Sequence, residues 1–273
     1  MPAKRDKSTE KDTGWLAIIR DLKISGHPVI YLAETESTND RCMEIGLAGG
    51  QAGTIVLTDS QTAGKGRLGK SWFSGQGKGI YFSLLLRPAL PLQDLSKITL
   101  AAGVALCRAV NRLYSLAPML KWPNDLLING QKCGGILVEA DLRMPSSPLI
   151  ILGVGLNTTI EIGEFPDQLQ EKATSLQSHV DGEVTRSKLL CTIVDEIDNV
   201  ISHCEKRGFA DILTEWQKHD ATFGKKLVWL TADHRKIEGI SLGPDSEGRL
   251  HIKDQNGLVH EVLSGDISLA RKH

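Results

Sequence analysis

A glycine-rich loop with three cations, GKGRLGKSW at residues 64–72, is the segment best equipped for chemistry. Its glycines leave the backbone free to turn several N–H groups toward one anion, as in an anion-binding nest. Lys65, Arg67 and Lys70 add three positive charges within six residues. The loop therefore predicts a phosphate or carboxylate ligand, although a basic surface loop without a ligand would have the same composition.

Residues 64–71 also match the P-loop pattern G-x-x-x-x-G-K-[ST], and residues 64–69 match the dinucleotide pattern G-x-G-x-x-G. Both motifs need a helix directly after the loop, because its N-terminus binds the phosphates. Here Gly75, Gly77 and Gly79 follow instead, each costing about 1 kcal/mol in a helix interior, and the chain then continues as the strand-like GIYFSLLL. The sequence also lacks the H-R-D and D-F-G motifs that protein kinases carry. We therefore exclude the P-loop, Rossmann and kinase interpretations.

A second chemically informative segment is KWPND at residues 121–125. Pro123 restricts the backbone of the residue before it and disfavours a helix there. The segment MLKWPND is therefore predicted to be extended. Lys121, between a strand and a rigid X-Pro turn, is expected to be held in place.

Four segments carry a resemblance to a known family. They are, in chain order, SQTAGKGRLGKSWFS, KWPNDLLINGQKCGGILVE, GVGLN and ATSL. Together they closely resemble the biotin–protein ligases, which have a G-R-G-R-x-G-R-x-W loop followed by K-W-P-N-D and a glycine-containing I-L-V-E strand. The resemblance runs from about Val29 to Ala270.

The resemblance implies an α+β fold. A mixed β-sheet flanked by helices, akin to class II aminoacyl-tRNA synthetases, would be followed by a small C-terminal SH3-like β-barrel. The sequence supports the barrel independently, because five short strand-like segments separated by turns fill the last 50 residues. The predicted organisation is an N-terminal tail and short helix over 1–27, a catalytic domain over 28–222 and the barrel over 223–273.

The resemblance also implies a two-step reaction. Biotin would be activated with ATP and Mg²⁺ to biotinyl-5′-adenylate and then transferred to a lysine of a biotin carboxyl carrier protein domain. Ser37, Thr38 and Asn39 stand at the family's biotin-contacting S-T-N, and Gln61 matches another biotin-contacting position. Ser37 or Thr38 could also simply cap the following helix, with Asp40 completing a capping box.

Catalysis joins two anions, so positive charge is needed where they meet. The resemblance implies that Lys121 binds the biotin carboxylate and the α-phosphate, and that Arg67 and Lys65 assist it, with Gly66 among the binding residues. Lys65 and Lys70 replace the family's arginines, which keeps the charge but loses the bidentate guanidinium.

Four further residues have open roles. Trp72 is predicted either to cover the adenine or to pack in the core. Asn124, Asp125 and Asn157 either assist Mg²⁺ or shape the site. No metal site made by the protein itself is predicted, because the eight histidines form no ligand pair.

Composition limits the remaining possibilities. The chain has 273 residues, a net charge of −1 and no apolar run of transmembrane length, so we expect neither membrane nor general nucleic-acid affinity.

Five irregularly spaced cysteines indicate reduced thiols in a cytoplasm, with Cys133 as a core residue. Only one helix is predicted before Pro28, too little for a helix-turn-helix domain, so DNA binding is not expected.

Three alternatives stay open: a lipoate–protein ligase, a biotin-sensing transcriptional regulator, and a biotin-binding module without ligase activity. A homodimer is one assembly that the resemblance allows.

Overall fold

The computed structural model describes residue 18 and residues 23–230, 236–262 and 266–269. Eight strands pair in one sheet with the order β1-β2-β3-β4-β8-β7-β6-β5. Only the β2–β3 pair among them is parallel, so the sheet is mixed, as predicted. The strands are β1 Lys23–Ile24, β2 His27–Leu32, β3 Ile55–Thr58, β4 Gly79–Leu86, β5 Met119–Lys121, β6 Asp125–Ile128, β7 Gln131–Asp141 and β8 Leu149–Asn157.

Helices cover both faces of this sheet. They are α1 Thr38–Leu47, α2 Ile98–Tyr114, α3 Asp167–Gln170, α4 Arg186–Arg207 and α5 Ala210–Lys218. Successive side chains of a strand point to opposite faces. On β8, Ile150 and Leu152 accordingly join the main core with α2 and α4, whereas Leu149 and Ile151 join a smaller core with Cys42 of α1.

On the sheet face that carries α1, strand β8 changes from large apolar side chains to glycines. After Leu149 and Ile151, the next two residues of the same series are Gly153 and Gly155. On β4 the corresponding series contains Ser83, a buried serine among mostly apolar residues. The sheet therefore has an open, partly polar area beside α1 rather than a continuous apolar core.

Several predicted elements are confirmed. The hairpin between β6 and β7 turns at Asn129 and Gly130, whose φ values of 49° and 81° suit a two-residue type I′ turn. The helical stretch over residues 186–219 is two helices, separated at Gly208. The predicted helix over residues 15–23 lies outside the described residues, apart from Ile18, which is helical, and Lys23, which begins β1.

The extended prediction for MLKWPND is confirmed for Met119–Lys121 and for Asp125, and the X-Pro turn expected after Lys121 occupies residues 122–124. Strand β5 ends at Lys121, and the chain turns through Trp122 and a cis Trp122–Pro123 peptide before β6 begins. The N–H of Asn124 donates to the carbonyl of Lys121 at 3.2 Å, which closes this turn. Lys121 therefore lies at the end of a strand in a tight hairpin.

The C-terminal region contains the five predicted strands, paired antiparallel in the order β12-β11-β10-β9-β13. The described pairings leave β12 and β13 as the two edges, so they form an open sheet rather than a closed barrel. The strands are β9 Lys226–Leu230, β10 Lys236–Pro244, β11 Leu250–Asp254, β12 Val259–Val262 and β13 Asp266–Leu269.

Buried polar contacts join the two sheets. The indole N–H of Trp122, which is 6% exposed, donates to the carbonyl of Gly248 at 2.9 Å. The buried Lys97 ammonium donates to the carbonyl of Ser246 at 3.2 Å and pairs with Glu247 at 3.2 Å. The second sheet thus holds the turn that follows Lys121. Within the described ranges, no helix combines the length and apolarity needed to cross a membrane.

Candidate active site

One cavity of about 620 Å³ lies on the α1 side of the large sheet and extends to β9 and β10 of the second sheet. Its size suits a small organic ligand. All eight residues predicted to bind ligand or catalyse line this cavity, although they come from distant parts of the chain: Ser37, Thr38, Asn39, Gln61, Lys65, Gly66, Arg67 and Lys121.

The start of α1 supplies the first group of these residues. Ser37 is the N-cap, with φ −152° and ψ 130°, and its hydroxyl accepts from the N–H of Asp40 at 3.5 Å. Capping and lining the cavity therefore occur together. The Asp40 carboxylate, however, pairs with the Lys65 ammonium. It does not complete the predicted capping box.

A buried network fixes the neutral polar side chains. Gln61 Oε1 accepts from the N–H of Thr38 at 2.8 Å and from the Thr38 hydroxyl at 3.1 Å. The Ser83 hydroxyl donates to Asn39 Oδ1 at 2.6 Å, and Asn39 Nδ2 donates to Glu139 Oε2 at 2.7 Å. Thr38 and Asn39 are each 4% exposed. Buried polar groups satisfied in this way are rigid, so the cavity presents them in one arrangement.

Three glycines form the floor of the cavity, and we refer to Gly135, Gly153 and Gly155 as the glycine floor. A Cβ atom on Gly153 would lie 2.0 Å from Asn39 Oδ1, and one on Gly155 would lie 2.6 Å from the Trp72 ring. Gly135 and Gly155 are direct partners across β7 and β8. Asn39 and Trp72 therefore lie directly on the strand backbone.

Trp72 lies in the cavity wall with a cation close to its ring. The Lys132 ammonium lies 5.4 Å from the ring centroid and pairs with Asp125 at 2.5 Å. Trp72 Nε1 is buried and makes no hydrogen bond among the described residues. The charge of Asp125 is consequently balanced by Lys132, and the indole adds flat apolar surface to the site.

The cationic loop folds back on itself as a short hairpin. Gly66 N–H donates to the carbonyl of Lys70 at 2.7 Å, and Trp72 N–H donates to the carbonyl of Gly64 at 2.8 Å. Leu68, at the tip, has a left-handed φ of 56°. The chain then enters β4 rather than a helix, as the exclusion of the P-loop required.

The cations at the cavity come from separate elements. Lys65 pairs with Asp40, and this hydrogen bond raises the pKa of Lys65 above its ordinary value, so the side chain stays charged. The Arg67 guanidinium lies 5.9 Å from the centroid of the Trp122 ring. Lys121 adds a further positive charge from the end of β5. An anionic group in the cavity would therefore meet charges on both the loop and the β5–β6 hairpin.

Two asparagines with open roles make structural hydrogen bonds. Asn124 Nδ2 donates to the carbonyl of Ile136 at 2.9 Å, and Asn157 Nδ2 donates to the carbonyl of Thr174 at 3.0 Å. Asn124 lines the cavity, whereas Asn157 is not part of its wall. Cys133 is fully buried, which raises the pKa of its thiol, so it is a core residue as predicted.

One group of side chains in the described part of the chain has the spacing of metal ligands, and it lies in the second sheet. It consists of Asp245, His251 and Glu261. The Arg249 guanidinium pairs with Asp245 at 3.0 Å and with Glu261 at 3.1 Å. The cluster is therefore an ion-pair network.

Sequence reasoning missed the residues that hold the site in shape. Ser83, Glu139, Lys132 and the glycine floor were not predicted. Ser83 could have been recognised from the sequence, because it is a small polar residue within the otherwise aromatic and aliphatic run IYFSLLL. The two glycines of GVGLN could also have been recognised from the sequence, since glycine inside a strand often marks a close approach of another group.

Comparison with known proteins agrees with this geometry. Residues 31–157 match the biotin/lipoate A/B protein ligase family, and residues 227–270 match the biotin protein ligase C-terminal domain. The bifunctional ligase/repressor BirA of Bacillus spizizenii is 33% identical over 247 residues, which cover 90% of this chain and 75% of that protein. The biotin–[acetyl-CoA-carboxylase] ligase of Mycobacterium tuberculosis is 28% identical and covers 96% of this chain and 92% of its own.

A solved structure supports the same grouping. The biotin protein ligase from Aquifex aeolicus in complex with biotin and ATP superposes with a TM-score of 0.76 at 28% identity. The match covers 89% of this chain and 99% of that one.

Proposed function

The chain belongs to the biotin protein ligase family, and we propose that it activates biotin with ATP and transfers it to a lysine of a biotin carboxyl carrier protein domain. The intermediate is biotinyl-5′-AMP, and the products are biotinylated carrier, AMP and pyrophosphate. The cavity carries this proposal, because it brings buried neutral hydrogen-bonding groups and three cations from distant segments to one place.

The neutral network suits the cyclic urea of biotin. That ring offers two N–H donors and one carbonyl acceptor, and it carries no charge. Thr38, Asn39 and Gln61 offer amide and hydroxyl groups that are already hydrogen-bonded in place. Burial makes such preorganised groups selective, because a ligand without matching polar atoms would leave their remaining hydrogen-bonding positions unpaired, such as the second lone pair of Asn39 Oδ1.

The cations suit the first chemical step. A biotin carboxylate oxygen attacks the α-phosphorus of ATP, and the bond from that phosphorus to the bridging oxygen breaks to release pyrophosphate. Lys121, Arg67 and Lys65 offset the repulsion between the two anions and stabilise the charge that develops. The β5–β6 hairpin gives Lys121 a fixed position, which favours the transition state over the free reactants.

In the second step the acceptor lysine nitrogen attacks the biotinyl carbonyl carbon. The bond from carbon to the phosphate oxygen breaks, AMP leaves, and the nitrogen loses a proton to form the amide. The mixed anhydride is already activated, so positioning is the main requirement.

Mg²⁺ enters this proposal as part of the substrate MgATP. Among the described residues, Asp125 is the only carboxylate in the cavity wall, and it is paired with Lys132. Magnesium commonly binds through substrate phosphates with few protein ligands. The residues of the cavity would thus bind the nucleotide rather than hold a separate metal.

The alternatives receive less support. The first matching family includes lipoate ligases, but the second match is to a C-terminal domain of biotin protein ligases. Relatives include a ligase/repressor and a ligase named without repression. Ligation is the activity common to both names.

The five cysteines are all free, which supports a reducing compartment such as the cytoplasm.

We place the boundary between the catalytic and C-terminal domains near residue 222, ahead of β9.

Pyrophosphate exchange tests the first step. We expect exchange of radiolabelled pyrophosphate into ATP only when biotin is present, and biotin transfer to a purified carrier domain when that domain is added. Lipoate in place of biotin should give no exchange. Exchange with lipoate equal to that with biotin would reassign the substrate, and an absence of exchange with biotin would refute the function.

Ligand binding should also protect the cationic loop from trypsin. Trypsin cleaves after lysine and arginine, and Lys65, Arg67 and Lys70 lie on a loop that buries little apolar surface. Biotin with MgATP should slow cleavage strongly, biotin alone partly and ATP alone weakly, because only the adenylate offers the loop its full set of contacts. At ligand concentrations 100 times Kd, about 100-fold fewer molecules remain free. Equal cleavage in all conditions would show that the loop does not respond to ligand.

A further inference from the structure

We propose that Glu139 is a positioning residue that acts through Asn39 to set which atom of the Asn39 amide faces biotin. This inference rests on the proposed function. Glu139 lies near the end of β7, and its carboxylate accepts from Asn39 Nδ2 at 2.7 Å. Neither the sequence patterns nor the matching families assign it this role.

The chemistry of the amide makes such a partner necessary. An asparagine side chain has an oxygen that only accepts and a nitrogen that only donates, and the two ends have nearly the same shape. A carboxylate only accepts, so Glu139 selects the nitrogen end. The carbonyl of Leu137, at 3.3 Å, accepts from the same nitrogen.

The other end of the amide is fixed by Ser83, whose hydroxyl donates to Asn39 Oδ1 at 2.6 Å. An amide oxygen has two lone pairs, and one hydroxyl occupies only one of them. The second can accept an N–H from the cyclic urea of biotin. If the amide were reversed, an N–H group would face the biotin N–H and repel it.

Glu139 itself does not line the cavity. It lies in the wall of the neighbouring cleft beside the cationic loop, together with Lys65, Arg67 and Lys70. Its carboxylate touches the cavity wall through Asn39, so its effect on the neutral ring of biotin should pass through the Asn39 amide, whereas its charge also acts on Lys65.

The test is biotin binding by the full chain, measured by titration calorimetry without ATP. Glu139→Ala should weaken biotin binding about tenfold, as expected for losing a hydrogen bond to a charged group. Glu139→Gln should restore most of the affinity, since its amide oxygen can still accept from Asn39 Nδ2. Asp141→Ala is the matched control, because it removes one carboxylate from the same strand and leaves Asn39 unchanged. The KM for ATP should stay the same in Asp141→Ala.

A double-mutant cycle separates positioning from general destabilisation. In an Asn39→Ala background, Glu139→Ala should weaken biotin binding less than twofold. The role of Glu139 would be overturned if the affinity losses of Asn39→Ala and Glu139→Ala added in full in the double variant. It would also be overturned if Asp141→Ala lost as much biotin affinity as Glu139→Ala. A failure of the unaltered chain to bind biotin would instead refute the proposed function, so the two failures are distinct.

Discussion

Replacing Lys121 by alanine is expected to lower biotin-dependent pyrophosphate exchange by about 10²- to 10³-fold, the usual cost of removing one preorganised group that stabilises developing charge. Lys121 lies at the end of β5, and its neighbour Leu120 is held by the N–H of Ala221 and the carbonyl of His219. A side chain on such a rigid segment is positioned before the substrates arrive. The measurement is the exchange rate at saturating biotin and ATP.

Two further variants make this result specific. Lys121→Arg keeps the charge and should retain more exchange than Lys121→Ala. Lys188→Ala removes an exposed lysine from α4, outside the cavity wall, and should leave exchange unchanged. Near-normal exchange in a folded Lys121→Ala protein would mean that other cations perform the electrostatic role.

Gly153→Ala is expected to weaken biotin binding by about 10- to 100-fold, because leaving buried polar groups unpaired costs about 1–3 kcal/mol. The added methyl group would lie 2.0 Å from Asn39 Oδ1, so the asparagine must move away from Ser83 and Glu139. The backbone conformation itself accepts alanine, since Gly153 does not have a positive φ. Equilibrium biotin binding measures the effect.

Gly182→Ala is a suitable control for this substitution. An added Cβ at Gly182 meets no atom within 4 Å, and its φ is not positive. Biotin binding should therefore be unchanged. If Gly153→Ala binds biotin as tightly as the unaltered chain, Asn39 is not a biotin contact in its present position.

The sequence predicted much of the fold because local patterns decide it. The β6–β7 hairpin follows from Asn129 and Gly130, which accept positive φ, and α2 follows from its apolar periodicity. The X-Pro turn after Lys121 was predicted, but its bounds were not, because the restriction imposed by proline indicates only a non-helical backbone. Strand β1 has two residues and offers no pattern to detect.

For the site, the sequence predicted the residues in motifs but not the partners that hold them in position. Residues in unusual motifs, such as Arg67 and Lys121, could be singled out from the sequence. Their partners could not, since the Asn39–Glu139 contact joins positions 100 residues apart and the Lys65–Asp40 pair joins positions 25 apart. The pairing of β4, β8 and β7 brings Ser83 and Glu139 onto one sheet, and the packing of α1 on that sheet adds Asn39.

The glycine floor also limits how the enzyme can be engineered. Substrate pockets are often enlarged by shortening the side chains beneath the ligand, but Gly135, Gly153 and Gly155 have no side chain to shorten. Substitutions there can only raise the floor and displace Asn39 or Trp72. A variant that accepts bulkier biotin analogues must therefore gain its space from the walls, through residues such as Leu137 or Leu169, and not from the sheet.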